Sequence, residues 1–212
     1  MDQLNRHHDD QGRRTILDWL TPTDYAPQQS DFISRRQERT GQWLLGSDQF
    51  HKWLSKGETL FCPGMPGAGK TMIASIVVDY LCIRFQNDAS TGIAYLYCNF
   101  RRQQEQKPTD LLWSLLKQLV QDRPSVPGTV KSLYERHKDK RTRPSFDETS
   151  KVLHSVVTDY SRVFIIVDAL DEYQVSDGGR RRLLSEIFSL QAKTGASFFA
   201  TSRFIPGITN MF

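Results

Sequence analysis

The sequence predicts an α/β fold, a three-layer αβα sandwich around a parallel sheet, and three observations carry that expectation. Short apolar runs of strand type alternate with amphipathic helical stretches along most of the chain, the pattern that crossover-connected parallel strands require. One of these runs, Val163 to Val167, is hydrophobic at every position, as a strand covered by helices on both faces must be. A glycine-rich turn, Gly64 to Thr71, stands between a strand-like segment and a helix-like one, a place where parallel α/β proteins build sites.

In chain order, residues 1–28 are polar apart from Ile16-Leu17-Asp18-Trp19-Leu20, and Pro22 and Pro27 punctuate the stretch after that run. They read as an N-terminal arm or linker with one short amphipathic piece, ahead of a core domain over 29–212. Ser30 to Arg39 looks helical, and Thr40-Gly41 breaks it. Ser47 caps a helix carrying Phe50, Trp53 and Leu54 at helical spacing, which Lys56-Gly57 ends. Thr59 to Pro63 is the first strand, and Thr71 to Phe85 is a helix without a breaker. Gly92 to Phe100 is β-branched and aromatic, a second strand. Thr109 to Gln121 shows a broad leucine stripe of helical period. A weaker helix spans Val130 to His137, and Ser145 with Glu148 has capping-box spacing at the start of another. The third strand, Val163 to Val167, is followed by a helix from Arg180 to Ala192 and a fourth strand from Ser197 to Thr201.

The chain has 212 residues, room for one α/β domain with a substantial core. With 28 Lys and Arg against 24 Asp and Glu, the net charge of +4 argues by itself neither for nor against nucleic acid. The clusters Arg101-Arg102, His137 to Arg143 and Arg180-Arg181-Arg182 read as solvated helix ends and loops, so nucleic acid is not an expected partner. Three cysteines cannot all pair, and nothing at the N-terminus reads as a signal peptide, so a reducing, cytoplasmic setting is expected, with no membrane span. The cysteines and histidines show no metal-ligand spacing, and no G-x-S-x-G elbow supports serine hydrolase chemistry.

The chemistry is carried by three motifs in order. Gly64-Met65-Pro66-Gly67-Ala68-Gly69-Lys70-Thr71 reads G-x-x-x-x-G-K-T, the phosphate-binding loop of nucleotide triphosphatases. Its glycines let backbone N–H groups approach phosphate oxygens, Lys70 adds a point charge at the β and γ phosphates, and the Thr71 hydroxyl is a magnesium ligand. The second motif is the strand ending in Asp168-Ala169-Leu170-Asp171-Glu172. Strand carboxyl ends face the ligand crevice, which brings Asp168 near the magnesium and leaves Asp171 or Glu172 to position or deprotonate a water. The third is Thr201-Ser202-Arg203, hydroxyls and a cation at the tip of the fourth strand, suited to contact a γ-phosphate.

Together C-P-G-M-P-G-A-G-K-T, V-F-I-I-V-D-A-L-D-E and F-A-T-S-R resemble the NACHT-type domain of the STAND class of signalling P-loop NTPases, in the nephrocystin-like form abundant in filamentous fungi. The resemblance runs from about Ile16 to the last residue. It implies a switch that is ADP-bound at rest and ATP-bound and oligomeric when activated. Carried over, Gly64 to Thr71 bind phosphate and metal, and Asp168 assists magnesium. Asp171 and Glu172 act at the hydrolytic water, and Arg203 with Ser202 senses phosphate. The stretch Arg39-Thr40-Gly41-Gln42-Trp43 lies where such proteins wrap adenine, with Thr40 as the contact and Trp43 better read as core. The loop does not by itself choose between ATP/ADP and GTP.

Family members continue past the F-A-T-S-R strand with a fifth strand, a helical lid, a winged helix and repeats, so the resemblance implies a C-terminally truncated core with strand order 5-1-4-3-2. Two further readings stay open beside the ATP-binding switch with slow hydrolysis. One is a nucleotide-independent interaction scaffold or inactive fragment, self-associating through the exposed edge of the first strand. The other is a nucleic-acid-dependent ATPase, which requires salt-sensitive nucleic-acid binding.

Overall fold

A computed structural model describes residues 2–173 and 178–212, and the side chains of all of these except 2–10 and 103–105. The helices are α1 (Asp2–Leu20), α2 (Ala26–Ser34), α3 (Gln42–Leu45), α4 (Asp48–Lys56), α5 (Lys70–Arg84), α6 (Pro108–Gln121), α7 (Gly128–Lys138), α8 (Phe146–Thr158), α9 (Gly179–Thr194) and α10 (Pro206–Thr209). The strands are β1 (Thr59–Pro63), β2 (Thr91–Tyr97), β3 (Arg162–Asp168) and β4 (Ser197–Ser202), and a short 3-10 turn covers Phe100–Glu105. All pairings are parallel, in the order β1-β4-β3-β2. This is the expected α/β fold, and the order is the one the resemblance implies for these four strands.

The central strands explain why the run Val163 to Val167 carries no polar residue. Every residue of β4, and every residue of β3 after Arg162, is buried. Successive strand side chains point to opposite faces, so both faces are covered. Phe164 and Phe199 pack on Trp53 of α4, with ring centroids 5.2 and 5.8 Å away, whereas Phe198 meets Phe188 of α9 at 5.7 Å. The Trp53 indole N–H donates to the Phe198 carbonyl at 3.0 Å, giving that buried donor its partner.

Local signals set most helix ends. The Ser47 hydroxyl accepts from Phe50 N, and Gly57 ends α4 in the left-handed conformation at φ 65°. A Cβ on Gly57 would stand 2.2 Å from the Gly195 carbonyl oxygen, so glycine is required there on two counts. Ser145 and Glu148 form the reciprocal capping box that opens α8.

Two segments differ from the sequence reading. Helix α2 begins at Ala26 rather than near Ser30, because Pro27 sits in its first turn, where a missing N–H costs nothing. The N-terminal amphipathic piece is the end of the longer helix α1, whose Ile16 and Leu20 are buried in the common core. Arg143 donates to the Trp19 and Leu20 carbonyls, and Lys117 to that of Thr21 at 2.8 Å, so cations satisfy the orphan acceptors at the α1 C-terminus.

Candidate functional site

The site lies at the carboxyl ends of β1, β3 and β4. The loop from β1 to α5 turns through Gly67 at φ 76° and Gly69 at φ 79°. A Cβ at either glycine would meet nothing within 4 Å, so these positions need glycine for backbone conformation rather than for space. The Lys70 ammonium donates to the carbonyls of Gly64 and Met65, both at 3.0 Å, which folds the charge over its own loop. Gly64 N donates to the Ser202 carbonyl at 2.9 Å, tying the start of the loop to the end of β4.

Asp168 closes β3 and is only 2% exposed. The Thr71 hydroxyl donates to its Oδ2 at 2.7 Å, and the Thr201 hydroxyl to its Oδ1 at 2.6 Å. Thr201 also accepts from Ala169 N at 2.9 Å, so one hydroxyl bridges the strand end and the turn after it. Burial pushes the Asp168 carboxyl above its ordinary value, a rise that the two hydroxyls and Lys70 reduce without cancelling. The chain then turns at Ala169, which is held at φ 55°. Asp171 accepts from Arg203 twice, from the backbone N at 2.9 Å and from Nε at 2.5 Å. Burial pulls its carboxyl upward, but the bonds and charge of Arg203 together outweigh that and hold it below the ordinary range.

These groups surround an open cleft of about 650 Å³, lined by Pro66, Gly67, Gly69, Lys70, Thr71, Phe100, Ala169, Asp171, Glu172 and Arg203. A volume of this order suits a small-molecule ligand. Other sequence-selected residues lie elsewhere. Gly64 and Ala68 are outside the lining, and a Cβ on Gly64 would stand 3.6 Å from that of Ala68; Met65 is 71% exposed and outside it as well. Ser202 is buried, its hydroxyl turned to the Arg203 carbonyl at 2.9 Å. Thr40 is outside the lining as well, in the turn before Gly41, where a Cβ would crowd Ile76 of α5 at 2.9 Å. Trp43 corrects the expectation of a core residue: it is 69% exposed. Helix α3 is four residues long and buries Leu44, so the side chain one position earlier is rotated away from the core.

Two residues of the named motifs have other roles than the sequence suggests, and two more lie outside every motif. The Thr201 hydroxyl, expected to face a γ-phosphate, supports Asp168, and Ala169 lines the cleft; Phe100 lines it too, and Arg180 donates to the Tyr173 carbonyl from Nε at 2.9 Å. Nothing local marked Phe100 or Arg180.

The residues present fit magnesium. Thr71 and Asp168 are hard oxygen donors already in contact, and magnesium takes few protein ligands when phosphates complete its shell. Among the described residues no group of three or more His, Cys, Asp or Glu could hold a metal by protein ligands alone.

A parallel β1-β4-β3-β2 sheet, a G-x-x-x-x-G-K-T loop between β1 and α5, and the contact of that loop's threonine with the acid closing β3 define a nucleotide-binding module of the P-loop NTPase type. The model of the nephrocystin 3 N-terminal family matches residues 39–203, and the chain belongs to that family. No curated protein matches it. Solved structures with similar folds include the Aeropyrum pernix ORC1 protein in complex with DNA, at 17% identity and a TM-score of 0.49, covering 94% of this chain and 44% of that one. Drosophila ORC bound to DNA is similar at 15% identity and a TM-score of 0.45, covering 90% of this chain and 42% of the other. The chain spans less than half the length of either. No helix among the described residues is long and apolar enough to cross a membrane.

Proposed function

We propose that this chain is the ATP- and ADP-binding module of a cytoplasmic signalling NTPase, with slow magnesium-dependent hydrolysis. The observation that carries the reading is the 2.7 Å contact between Thr71 Oγ1 and Asp168 Oδ2, which joins the phosphate loop to the acidic strand end. Backbone N–H groups of Gly67 to Lys70 cradle the phosphates, and the Lys70 ammonium leaves its two carbonyls for the β and γ oxygens. Magnesium would be held by Thr71 with Asp168 behind it, and would supply positive charge against the phosphates. Both Asp168 oxygens are already engaged by hydroxyls, which favours an outer role for Asp168, through water, with Thr71 as the direct ligand.

Glu172 lines the same cleft, and its side chain makes no hydrogen bond or ion pair among the described residues. In hydrolysis it takes a proton from water as the water oxygen bonds to the γ-phosphorus. The bond from that phosphorus to the β–γ bridging oxygen breaks, and ADP leaves with the electron pair. Arg203, which lines the same cleft, is assigned to the phosphates, and Thr40 to the adenine side.

Isothermal titration with MgATP and MgADP tests the reading. Wild-type protein is expected to bind both, and Lys70→Ala to weaken ATP by about tenfold or more, since it removes charge-assisted contacts to phosphate. No binding by wild type, or a Lys70→Ala variant indistinguishable from it, would end the proposal. A second reading, a protein-interaction scaffold indifferent to nucleotide, draws on β1, which pairs only with β4 among the described strands and is half-exposed at all five residues. It predicts self-association unchanged by nucleotide or by Lys70→Ala.

A further inference from the structure

Two acids follow β3 on one loop and both line the cleft, yet their side chains are committed differently. Asp171 gives both carboxylate oxygens to one residue, Oδ1 to Arg203 N at 2.9 Å and Oδ2 to Arg203 Nε at 2.5 Å. Its side chain is 3% exposed, that of Arg203 45%. The loop bearing Asp171 is also held from behind. Arg180, in the first turn of α9, donates from Nε and Nη2 to the Tyr173 carbonyl at 2.9 and 2.7 Å, and from Nη2 to the Asp171 carbonyl at 3.3 Å. Arg203 therefore holds the carboxylate, while Arg180 holds the main chain of the same loop through its carbonyls.

A guanidinium is a rigid planar fork with donors along more than one edge. Asp171 takes the Nε donor. The terminal nitrogens of Arg203 make no hydrogen bond among the described residues, and the residue lines the cleft together with Gly67, Gly69, Lys70 and Thr71. A ligand cradled by that loop would meet Lys70 at its β and γ phosphates, and Arg203 is the other cation of the same lining, so the terminal phosphate is the anionic group offered to it. A free arginine side chain would lose rotamer freedom on making that contact, and one already clamped through Nε has lost it beforehand.

We propose that Asp171 is a positioning residue: by gripping Arg203 through its backbone N and Nε, it aims the terminal guanidinium nitrogens at a γ-phosphate and lets the site tell a nucleoside triphosphate from a diphosphate. The inference rests on the nucleotide-binding reading above. It assigns the two acids separate work, with Asp171 acting through Arg203 and Glu172 alone free to act on water. The persistence of the grip at neutral pH is supported by the depressed Asp171 carboxyl, which stays charged despite its burial.

The test is the ratio of MgADP to MgATP dissociation constants, measured by titration calorimetry on the full chain, with thermal melting to establish that each variant folds. Wild type is expected to prefer ATP. Asp171→Ala is expected to cut that preference about tenfold by weakening ATP alone, the scale of a charge-assisted contact. Arg203→Ala is expected to do the same, and the double variant no more than either, because the two residues act as one unit. Asp171→Asn, which keeps the volume and loses the charge, carries the test if Asp171→Ala does not fold. Preference retained in both Asp171 variants, equal weakening of ATP and ADP, or losses that add to those of Arg203→Ala would each overturn the inference. If wild type binds and Lys70→Ala does not, such a result removes the role of Asp171 alone; if wild type binds neither nucleotide, the nucleotide reading falls and this inference with it.

Discussion

Asp168 and Asp171 stand three positions apart, expose almost no surface, and shift in opposite directions, Asp168 being the more deeply set of the two. At 2% and 3% exposure both lose most of their hydration, and desolvation alone would raise both carboxyls. Asp168 receives two hydroxyl hydrogen bonds and its pKa stays raised. Asp171 receives the backbone N–H and guanidinium of Arg203, and its pKa is lowered. Hydroxyls satisfy lone pairs but supply no net charge, so they only partly replace water around an anion; a guanidinium supplies both. The difference shows what each position is built to receive. Asp171 carries its counter-charge within the protein, whereas the Asp168 carboxyl, raised by burial, is hydrogen-bonded only by hydroxyls, one of them that of Thr71 in the glycine-rich loop.

The largest expected effect breaks the comparison at Asp168. Asp168→Asn is expected to weaken magnesium-dependent ATP binding by about 10- to 100-fold, the range for losing a group that orients a metal and its ligands. Its effect on the metal-free fold should run the other way. The amide oxygen still accepts from Thr201, the amide NH₂ turns to the Thr71 hydroxyl, and a buried ionisable group disappears, so melting temperature should hold or rise. A variant that melts lower yet binds MgATP normally would show that Asp168 is structural.

Next is Thr201→Val, which keeps the shape and removes one hydroxyl. It leaves Asp168 Oδ1 without its donor and Ala169 N without its acceptor in a buried setting. A loss of about 2 kcal/mol is expected, the cost of orphaned buried polar groups. Denaturant titration measures it. A loss below experimental error would mean that Asp168 finds another donor.

Asp171→Asn probes the paired acid and should cost less, on the order of 1 kcal/mol, because Arg203 is 45% exposed and water screens the pair. Its signature is pH dependence. A carboxyl lowered in the folded state adds stability that is complete above its unfolded value of about 3.9, and this is lost as pH falls through the lower folded value. The gap in melting temperature between wild type and Asp171→Asn should therefore be full at neutral pH and close in acid. A gap constant across that range would place the contribution in packing instead of charge.

One half of the comparison was legible in the sequence and the other was not, because the two halves depend on different ranges of structure. Asp168 ends an apolar strand, and strand carboxyl ends face the crevice of a parallel sheet, so its position could be read from the pattern of its neighbours. The strand and helix pattern was readable for the same reason: Ser145 with Glu148, Ser47 and Gly57 are short-range signals whose partners lie within one turn. The Asp171–Arg203 pair joins residues 32 positions apart. Both were selected as site residues, but their grip on each other depends on the curl of the loop after β3 against the end of β4, which no local pattern encodes. Pro27 misled because proline both stops helices and starts them, and Trp43 because hydrophobicity says nothing about which side of a four-residue helix meets the core.

The smallest expected effect lies between the two acids, at Ala169. It is one of three non-glycine residues with positive φ among the described residues, held at 55°, where a side chain crowds the backbone. The turn is fixed on both sides, by Ala169 N to the Thr201 hydroxyl at 2.9 Å and Leu170 N to the Thr201 carbonyl at 3.0 Å, so the strain cannot relax by rotation. Ala169→Gly removes the crowding but gives the unfolded chain more freedom to lose, and the two effects oppose. A net gain of up to about 1 kcal/mol is expected if the left-handed conformation is strained for alanine in this setting. The more informative outcome concerns the acids. If the turn's only duty is to separate Asp168 from Asp171, glycine should leave the ATP preference intact. If the stiffness of alanine is what keeps Asp171 on Arg203, the preference should fall toward that of Asp171→Asn even as the melting temperature climbs, and the two aspartates would then be coupled through a single backbone dihedral.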